Sequence, residues 1–490
     1  MTNPVSSVAD AAERQCAQRS WAMIPVVDRL RVLRRARSAM AQISESFADA
    51  VSPQLSRTPA DTRVAEIMPL LAACKFLERS AGKILQVRRL GRRGLPFWLT
   101  GVHSEVQRVP LGTVLIIGPS NYPLFLPGVQ ALQALAAGNA VVWKPGRGGK
   151  RVAELFASAM IGAGLPRGLL QVTEDSIEAS QFELRGSVDK VVFTGSAESG
   201  RAVLRATAQR LIPSVVEASG CDAVVVLPSA DLERVVKALV FGMRLNGSAT
   251  CMAPRRVLVV GRSSDKLVQS LAKAFAAVSA THVRPALVER LKWLIAEAEA
   301  NGAKVIGKLD GEEMRPILVT HANPSMELAR SDLFAPVLSV MEVANVDEVL
   351  IAQDSCPFAL TAAIFGEEAE ARSLAGQLNV GTVLINDLVV STADPRVPFG
   401  GRKLSGFGAT RGAEGLLEMT AIKVISARRG AGTRQYEPTD SSAHIHLFDG
   451  LISATHSSTW GQRWHGLQKI VRAARGLNKS ERNRDADSPT

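Results

Sequence analysis

Gly112-Thr113-Val114-Leu115-Ile116-Ile117 is the stretch that decides the fold class, because it is a short apolar run with several β-branched residues. Two similar runs follow it, Ala140-Val141-Val142-Trp143 and Lys190-Val191-Val192-Phe193, and segments with helical periodicity separate the three. Apolar strands that alternate with helices are typical of a parallel sheet covered on both faces. The sequence therefore predicts an α/β fold.

The same alternation begins again after about Gly220, with apolar runs at residues 223–227, 257–260 and 337–340. A chain of 490 residues is also too long for one ordinary core, since a domain usually holds about 100–200 residues. We therefore expect a second parallel-sheet domain in this half of the chain. Beyond Ile425 the sequence turns to Ser, Gly, Arg and His with little periodicity, which indicates an appended tail.

The composition argues against several classes of protein. Hydrophobic residues make up 46% of the chain and charged residues 21%, as in globular proteins. No apolar run reaches about 18 residues, and the N-terminus lacks the basic and then apolar order of a signal peptide. The five cysteines are widely spaced without a CxxC pair, so neither a disulfide framework nor a zinc site is indicated. We expect a cytoplasmic protein.

The net charge of +12 has two interpretations. Basic residues could attract nucleic acid, but they are scattered through amphipathic stretches such as residues 29–35, where they would form the solvated face of a helix. We favour the solvated face and expect no nucleic-acid partner. Attraction to anionic cofactors or to a membrane surface stays open.

Two residues could supply a covalent mechanism, Cys251 and Glu217. A thiolate attacks carbonyl carbons, and a carboxylate can then activate the water that hydrolyses the resulting thioester. Each residue alone has a plainer interpretation, since a single cysteine is more often a buried apolar residue and a glutamate a solvated surface charge. Glu217 follows the apolar pair Val215-Val216, however, so we expect it at the end of a strand, facing a cleft.

Three turns that follow predicted strands could bind polar ligands. Residues 193–200 contain Gly195 and Gly200 and lead into a predicted helix, whose free N–H groups and dipole favour a phosphate. Lys144 ends an apolar strand, and Asn121 lies in a turn from which its amide could donate to an oxyanion. A turn without ligand, a surface lysine and a turn asparagine are the plain alternatives, and residues 193–200 lack the GxGxxG spacing.

The order and spacing of these motifs together resemble the aldehyde dehydrogenase superfamily over about residues 21–425. The matching stretches are Arg108-Val109-Pro110-Leu111-Gly112, Asn121-Tyr122-Pro123-Leu124, Gly138-Asn139-Ala140-Val141-Val142-Trp143-Lys144-Pro145, residues 193–200, Glu217, Cys251 with Ala253 and Arg256, Phe334-Ala335-Pro336-Val337, residues 398–408 and Thr420-Ala421-Ile422-Lys423.

The resemblance implies two Rossmann-like parallel-sheet domains, an oligomerisation hairpin, and NAD(P)-dependent oxidation of an aldehyde to a carboxylic acid. It assigns Cys251 as the nucleophile, Glu217 as the general base and Asn121 as the oxyanion donor. The base favours hydrolysis, because coenzyme A-acylating relatives typically lack it. The resemblance calls for no metal. The positions that match cofactor-binding residues of the family are Lys144, Gly195, Ser196, Gly200, Asp332 and Phe334.

Two further inferences concern the ligands. Arg147 stands three residues after Lys144, where NAD-preferring members often have a glutamate that binds the adenosine ribose. A guanidinium would bind a 2′-phosphate there, which makes NADP a candidate beside NAD. For the aldehyde, we expect Tyr122, Phe125 and Val129 to line a partly apolar funnel.

The chain also departs from the family pattern. Asp332 replaces the usual glutamate that holds the nicotinamide ribose, Ser248-Ala249 replaces the usual Gly-Gln, and the chain is shortened around residues 279–284. These departures support an alternative, a weakly active or inactive homologue that acts as a scaffold. The retention of Cys251, Glu217, Asn121 and Lys144 supports an enzyme.

The resemblance also implies the domain layout. Residues 1–91 and 111–219 would form the cofactor domain, residues 220–421 the catalytic domain, and residues 92–110 and 422–430 the oligomerisation strands. Residues 423–428 would join the hairpin of a partner subunit, in a homodimer or a tetramer.

Residues 431–490 would be a basic extension, with four apolar residues on one helical face and nearby cations that could contact an anionic membrane. The alternative is packing on the chain's own body or on a neighbouring subunit. The apolar residues are Trp460, Trp464, Leu467 and Val471, and the cations are Arg463, Lys469, Arg472 and Arg475.

Overall fold

The computed structural model describes residues 4–51, 55, 57–430, 436, 439 and 442–486. Its α-helices are α1 (Pro4–Met23), α2 (Val26–Gln42), α3 (Ser44–Ala50), α4 (Pro59–Thr62), α5 (Met68–Ile84), α6 (Phe125–Ala137), α7 (Lys150–Gly162), α8 (Ile177–Arg185), α9 (Ala197–Ala208), α10 (Leu232–Arg244), α11 (Asp265–Ala276), α12 (Pro285–Ala300), α13 (Val346–Ser355), α14 (Glu368–Ala375), α15 (Gly412–Glu418), α16 (Ser442–His456) and α17 (Trp460–Ala486).

The strands of the described residues form three larger sheets and two short pairs. They are β1 (Arg88–Leu90), β2 (Val102–Pro110), β3 (Thr113–Ile117), β4 (Ala140–Lys144), β5 (Leu170–Val172), β6 (Lys190–Gly195), β7 (Ser214–Ala218), β8 (Asp222–Val226), β9 (Pro254–Val260), β10 (Thr281–His282), β11 (Lys304–Ile306), β12 (Glu313–Met314), β13 (Ile317–Thr320), β14 (Val337–Val343), β15 (Phe358–Ala359), β16 (Thr361–Phe365), β17 (Thr382–Ile385), β18 (Arg402–Lys403), β19 (Gly406–Phe407) and β20 (Thr420–Arg428).

The first sheet has the order β19-β7-β6-β3-β4-β5, and all its pairs are parallel except β19 with β7. Alternate residues of each strand point to opposite faces. On one face Val114 and Ile116 join a core with α2, α5, α6 and α7. On the other, Leu115 and Ile117 pack with residues of α8 and α9. The apolar runs of the sequence are thus strands covered on both sides.

The second sheet has the order β11-β13-β14-β9-β8-β16-β17 and is parallel except for the edge strand β11. Helices α12, α13 and α14 cover one of its faces, and α10 and α11 cover the other. The two sheets lie in the two segments that the sequence analysis assigns to separate domains. The exception is β19, which comes from the second segment and pairs with β7 of the first.

The third sheet has the order β1-β2-β20. The strand β20 thus pairs with β2 of its own chain, and its joining the hairpin of a partner subunit stays a prediction. The pairing satisfies one edge of β20, and its other edge has no neighbouring strand among the described residues. Ile422 and Val424 on this edge strand are exposed.

A second compact unit comprises the described parts of residues 91–104 and 426–490, and the rest of the described chain forms the first unit. Helices α16 and α17 of the second unit pack against each other. The expected tail is therefore largely helical. No helix in the described part of the chain is long and apolar enough to cross a membrane.

Candidate active site

A cavity of about 660 Å³ brings together most of the site residues expected from the sequence. Strands β3, β4, β6 and β7 are parallel, so their carboxyl ends meet at one edge of the first sheet. The loops after these ends carry polar side chains into the cavity. The expected residues that line it are Asn121, Arg147, Gly195, Ser196, Glu217, Cys251, Asp332 and Phe334.

The loop between α10 and β9 positions Cys251. Asn246 and Ser248 hold left-handed backbone angles, with φ of 53° and 62°, and so turn the chain back before the cysteine. The Gly220 N–H donates to the Cys251 carbonyl oxygen at 3.0 Å. Burial raises the pKa of the Cys251 thiol well above its usual value, and the nearby Glu217 carboxylate raises it further. The thiol form is therefore the stable form in this environment.

Glu217 lies in β7 and is only 2% exposed, so it is not the solvated surface charge of the plain interpretation. The Thr410 hydroxyl donates to its Oε2 at 2.9 Å, and its Oε1 has no hydrogen-bond partner among the described residues. Burial raises the pKa of this carboxyl, while the charge of Arg411 and the Thr410 hydrogen bond lower it. A buried carboxylate with one free oxygen and a raised pKa is a stronger proton acceptor than an ordinary carboxylate.

Asn121 also lines the cavity, and its Nδ2 donates to the Ala249 carbonyl oxygen at 2.9 Å. An amide nitrogen carries two hydrogens, so one N–H is used by this bond and the second is available to a ligand. The bond fixes the plane of the amide relative to the loop that carries Cys251. This geometry suits a fixed oxyanion donor.

Two of the expected cofactor residues do not line the cavity. Lys144 ends β4 with 8% of its surface exposed, and burial lowers the pKa of its amine while the charge of Asp175 raises it. Gly200 lies inside α9, where it packs closely against Val216 and Phe193. Gly200 thus allows helix and sheet to approach each other.

The structure corrects the expectation for the substrate residues, which lie on α6 or just before it. Tyr122, Phe125 and Val129 are buried in the core and do not line the cavity, because the whole of α6 is covered by its neighbours. The Tyr122 hydroxyl lies 2.9 Å from the Thr250 hydroxyl, within hydrogen-bond distance. Leu126 is the residue of this helix that reaches the cavity.

One end of the cavity has groups that suit a phosphate. A Cβ at Gly146 would overlap the Pro119 carbonyl group, so only glycine lets these two loops approach each other. Ser196 caps α9 by accepting a hydrogen bond from the Ser199 N–H at 3.2 Å, and this helix start faces the cavity. With Arg147 nearby, the site offers N–H groups and a cation to phosphates.

Asp332, which replaces the usual glutamate, lines the same cavity. The Ser219 hydroxyl donates to its Oδ2, which fixes the carboxyl group. Burial raises the pKa of Asp332, and the Ser219 hydrogen bond and the charges of Arg255 and Arg290 lower it. The fixed carboxyl group lies at the cavity, where the sequence analysis expects a ribose-binding residue.

Several site residues escaped the sequence analysis. Thr410 and Arg411 interact with Glu217. The only sign of this in the sequence is that they closely follow the matching stretch 398–408. Arg57 and Asn246 contact the Asn121 loop through side chains that no local motif predicts. Ser248, which replaces the usual glycine, accepts a hydrogen bond from the buried Arg255 at 2.7 Å.

The model of the family described as "Aldehyde dehydrogenase family" matches residues 2–425. The chain belongs to the aldehyde dehydrogenase family. Among curated proteins, this aldehyde dehydrogenase is similar to 4,4'-diapolycopene aldehyde oxidase from Methylomonas sp, with 29% identity over 412 residues that cover 82% of this chain and 77% of the relative.

Solved structures agree with the family. An aldehyde dehydrogenase from Mycobacterium tuberculosis, complexed with NAD+, has 26% identity and a TM-score of 0.80, over 88% of this chain and 92% of its own. An NADP-dependent glyceraldehyde-3-phosphate dehydrogenase from Bacillus halodurans C-125, complexed with NADP, has 25% identity and a TM-score of 0.79, over 87% and 92%. The comparisons confirm the predicted fold class, the oxidoreductase class, and NAD or NADP as the cofactor.

Proposed function

We propose that this aldehyde dehydrogenase oxidises an aldehyde to the carboxylic acid through a covalent intermediate on Cys251. The observation that carries the proposal is the shared cavity, which holds the Cys251 thiol, the Glu217 carboxylate and the Asn121 amide. A nucleophile, a base and an oxyanion donor are the three groups that acyl chemistry requires.

Cys251 acts first, as a thiolate that bonds to the aldehyde carbon. The burial that raises the pKa of its thiol makes a proton acceptor necessary, and the free Oε1 of Glu217 is a carboxylate oxygen at the same cavity. As the bond forms, the carbonyl oxygen becomes an oxyanion. Asn121 and the Cys251 backbone N–H would donate to it, each contributing about 3 kcal/mol. The product of this step is a thiohemiacetal on Cys251.

A bound nicotinamide cofactor would supply the hydride acceptor for the thiohemiacetal. The residues that would hold it are Ser196 at the start of α9, Arg147, Asp332 and Phe334, all at the cavity. Lys144, at the end of β4, would contribute a cation to cofactor binding. The thioester that hydride loss would leave is then hydrolysed. Glu217 first releases the Cys251 proton to solvent and then takes a proton from water, so that hydroxide adds to the acyl carbon and the Cys251 sulfur leaves as a thiolate.

The test follows reduced nicotinamide by absorbance with short, long and aromatic aldehydes, each with NAD and with NADP. We expect turnover that vanishes in Cys251→Ala. In Glu217→Gln we expect a slower release of one equivalent of reduced cofactor per site, because the Cys251 proton loses its acceptor, and then little further turnover, because the thioester persists. Cofactor binding without turnover of any aldehyde would instead support the scaffold alternative.

Arg147 favours NADP within this proposal. Its side chain is exposed and reaches the cavity, in the loop that Asp175 fixes by accepting the Gly148 N–H at 2.7 Å. A guanidinium can hold the 2′-phosphate that distinguishes NADP from NAD. Relatives with either nucleotide are known, so the choice rests on this one side chain.

We further propose that the helical pair α16 and α17 binds an anionic membrane surface. The two helices cross where a Cβ at Gly450 or Gly466 would overlap the backbone of the opposite helix. The glycines thus let the two helices approach closely, and several large apolar side chains of the pair remain exposed. The exposed residues are Ile445, Phe448, Ile452, Trp460, Trp464, Leu467 and Val471.

Cations accompany these apolar residues on α17. At helical spacing, Arg463 and Arg475 flank the stripe from Trp460 to Val471. An apolar stripe between basic side chains matches a bilayer surface with negative headgroups. Such a contact would suit an enzyme with an apolar aldehyde, and it is compatible with the expected cytoplasmic location.

Flotation with vesicles tests this second proposal. We expect the full chain to bind phosphatidylglycerol vesicles more strongly than phosphatidylcholine vesicles, and the double variant Trp460→Ser with Trp464→Ser to lose the binding. Trp293→Ser is the matched control, because Trp293 is an exposed tryptophan on α12. Loss of the oligomer in the double variant, with no vesicle binding by the wild type, would assign the stripe to a neighbouring subunit.

A further inference from the structure

Arg57 is a buried cation that the proposed mechanism does not use. Its side chain is 1% exposed and forms an ion pair with Glu66, which is 0% exposed. The guanidinium also stacks over the Tyr122 ring, with its central carbon 4.4 Å from the ring centroid. An arginine buried this far must have a partner for each of its groups, since an unpaired buried charge is costly.

The remaining donors of Arg57 reach the loops of the active site. Its Nη2 donates to the Asn121 carbonyl oxygen at 2.6 Å, and its Nε donates to Asn246 Oδ1 at 2.7 Å. One loop carries the expected oxyanion donor, and the other leads to Cys251. A single planar group therefore links both loops.

Asn246 closes the network on the other side. Its Nδ2 donates to the Ala249 carbonyl oxygen at 2.9 Å and lies 3.2 Å from the Asn121 carbonyl oxygen. The Asn121 side chain donates to the same Ala249 oxygen at 2.9 Å. Both the backbone and the side chain of Asn121 are thus fixed by contacts that lead back to Arg57.

Glu66 fixes the network to the scaffold. Its Oε2 accepts hydrogen bonds from the backbone N–H groups of Leu124 and Phe125, at 3.1 and 2.6 Å. These groups belong to the start of α6, three and four residues after Asn121 in the chain. The carboxylate therefore holds the first turn of the helix, where an anion is favourable.

We propose that Arg57 is a positioning residue, which orients the Asn121 amide toward the oxyanion by holding the Asn121 and Asn246 loops together. The inference rests on the proposed function, because it assumes that Asn121 donates to an oxyanion. The planar fork of an arginine is essential to it, since a lysine can keep the charge beside Glu66 but cannot make the same set of directed bonds.

Arg57→Lys tests the proposal through two reactions of Cys251 that need neither aldehyde nor nucleotide. Acylation by 4-nitrophenyl acetate passes through a tetrahedral oxyanion, whereas alkylation by iodoacetamide attacks a saturated carbon and forms none. We expect Arg57→Lys to slow acylation by about 10- to 100-fold, up to the loss of one oxyanion donor. Alkylation of Cys251, followed by mass spectrometry of its peptide, should keep the wild-type rate.

A double variant with Asn121→Ala distinguishes a positioning role of Arg57 from a general loss of reactivity. If Arg57 acts through the Asn121 amide, Arg57→Lys should have little further effect on acylation in the Asn121→Ala background. Asn246→Gly is a second variant in case Arg57→Lys does not fold. Glycine accepts the left-handed backbone at this position, and the variant should show the same selective loss.

Arg37→Lys is the matched control. Arg37 pairs with Glu78 through two nitrogens, at 2.6 and 3.2 Å, between α2 and α5 and without contact with the site loops. The nitrophenolate release measured with Cys251→Ala is the background, and it is subtracted from the rate of every variant. After this subtraction we expect Arg37→Lys to be acylated at the wild-type rate.

Three results would overturn the proposal. The first is an equal loss of the acylation and alkylation rates in Arg57→Lys. The second is that the effects of Arg57→Lys and Asn121→Ala on acylation are additive. The third is that 4-nitrophenyl acetate does not acylate the wild type. Absence of aldehyde oxidation together with the selective loss of acylation would refute the proposed function and leave the role of Arg57 in place.

Discussion

At the scale of single residues, the site depends on how the buried Glu217 carboxylate is held. Thr410 donates to one of its oxygens, and the buried Arg411 supplies a positive charge. Arg411 itself stacks over the Phe399 ring at 4.4 Å and donates to the Thr392 carbonyl oxygen. Burial raises the pKa of Glu217, and these two neighbours limit the rise. The pH dependence of hydrolysis should therefore respond to either neighbour.

Thr410→Val should move the acidic limb of the pH profile to higher pH. The hydroxyl stabilises the charged carboxylate, so its removal raises the pKa of Glu217 and lowers the ionised fraction at a given pH. A hydrogen bond to a charged group contributes about 1.5 kcal/mol, which corresponds to a shift of about one pH unit.

The pH profile of kcat measures this shift, and Thr420→Val is the control. The Thr420 hydroxyl donates to the Leu417 carbonyl oxygen at 2.7 Å, and Thr420 does not line the site cavity. An unchanged limb in Thr410→Val would argue against Glu217 as the group that titrates.

Arg147→Glu should shift the nucleotide preference toward NAD. The carboxylate would repel a 2′-phosphate, and the lost charge-assisted contact costs about 1.5 to 3 kcal/mol, so kcat/KM for NADP should fall by at least about tenfold. Arg151→Glu, an exposed charge reversal on α7 that does not line the cavity, controls for long-range electrostatics. An equal fall of kcat/KM for NADP in the two variants would mean that Arg147 does not bind the cofactor.

At the scale of elements, the short strand β19 joins the second half of the chain to the sheet that carries Glu217. Gly406 pairs with Glu217 in antiparallel register, and Phe407 pairs with Val216. Ser405 accepts the Ala218 N–H through its carbonyl oxygen at 3.0 Å. A two-residue strand thus covers the edge of β7 next to the base.

Gly406→Ala should destabilise this edge strongly. Gly406 has a φ of 99°, and a Cβ there would overlap the Val216 carbonyl oxygen. Gly302→Ala is the matched control, because Gly302 has a φ of 94° with open space around its Cα. We expect the control to lose about 1 kcal/mol of unfolding free energy and Gly406→Ala to lose more, together with activity. Equal losses in denaturant titrations would mean that the edge tolerates the added methyl group.

At the scale of the whole molecule, the edge strand β20 is the surface that favours assembly. Its burial pattern is exposed along most of its length, and Ile422 and Val424 are 62% and 59% exposed. An exposed edge with apolar side chains is a template for pairing with another chain. We therefore predict that an oligomer of this chain would use the free edge of β20.

Val424→Arg should weaken the oligomer by adding a like charge on each of two facing strands. Light scattering coupled to size exclusion should show a lower mass at a given concentration. Val390→Arg is the control, since Val390 is also 59% exposed but lies on a short helical turn away from β20. An unchanged mass in Val424→Arg would place the interface elsewhere.

The sequence by itself determined the α/β class and several strands of each sheet, and it supplied the candidate residues for the chemistry. The signals were local ones: apolar β-branched runs, glycines, and the order of Asn121, Glu217 and Cys251. Such signals can be recognised without knowledge of the fold. The strands β3, β4 and β6 accordingly lie within or overlap the runs that were read from the sequence.

Only the tertiary structure decided which distant side chains complete the site. Thr410 reaches Glu217 across 193 positions of the chain, and Arg57 reaches Asn246 across 189. It also placed Tyr122, Phe125 and Val129 in the core and paired β20 with β2. These contacts depend on burial and directed hydrogen bonds between separate elements, and the local periodicity of a sequence contains no information on either.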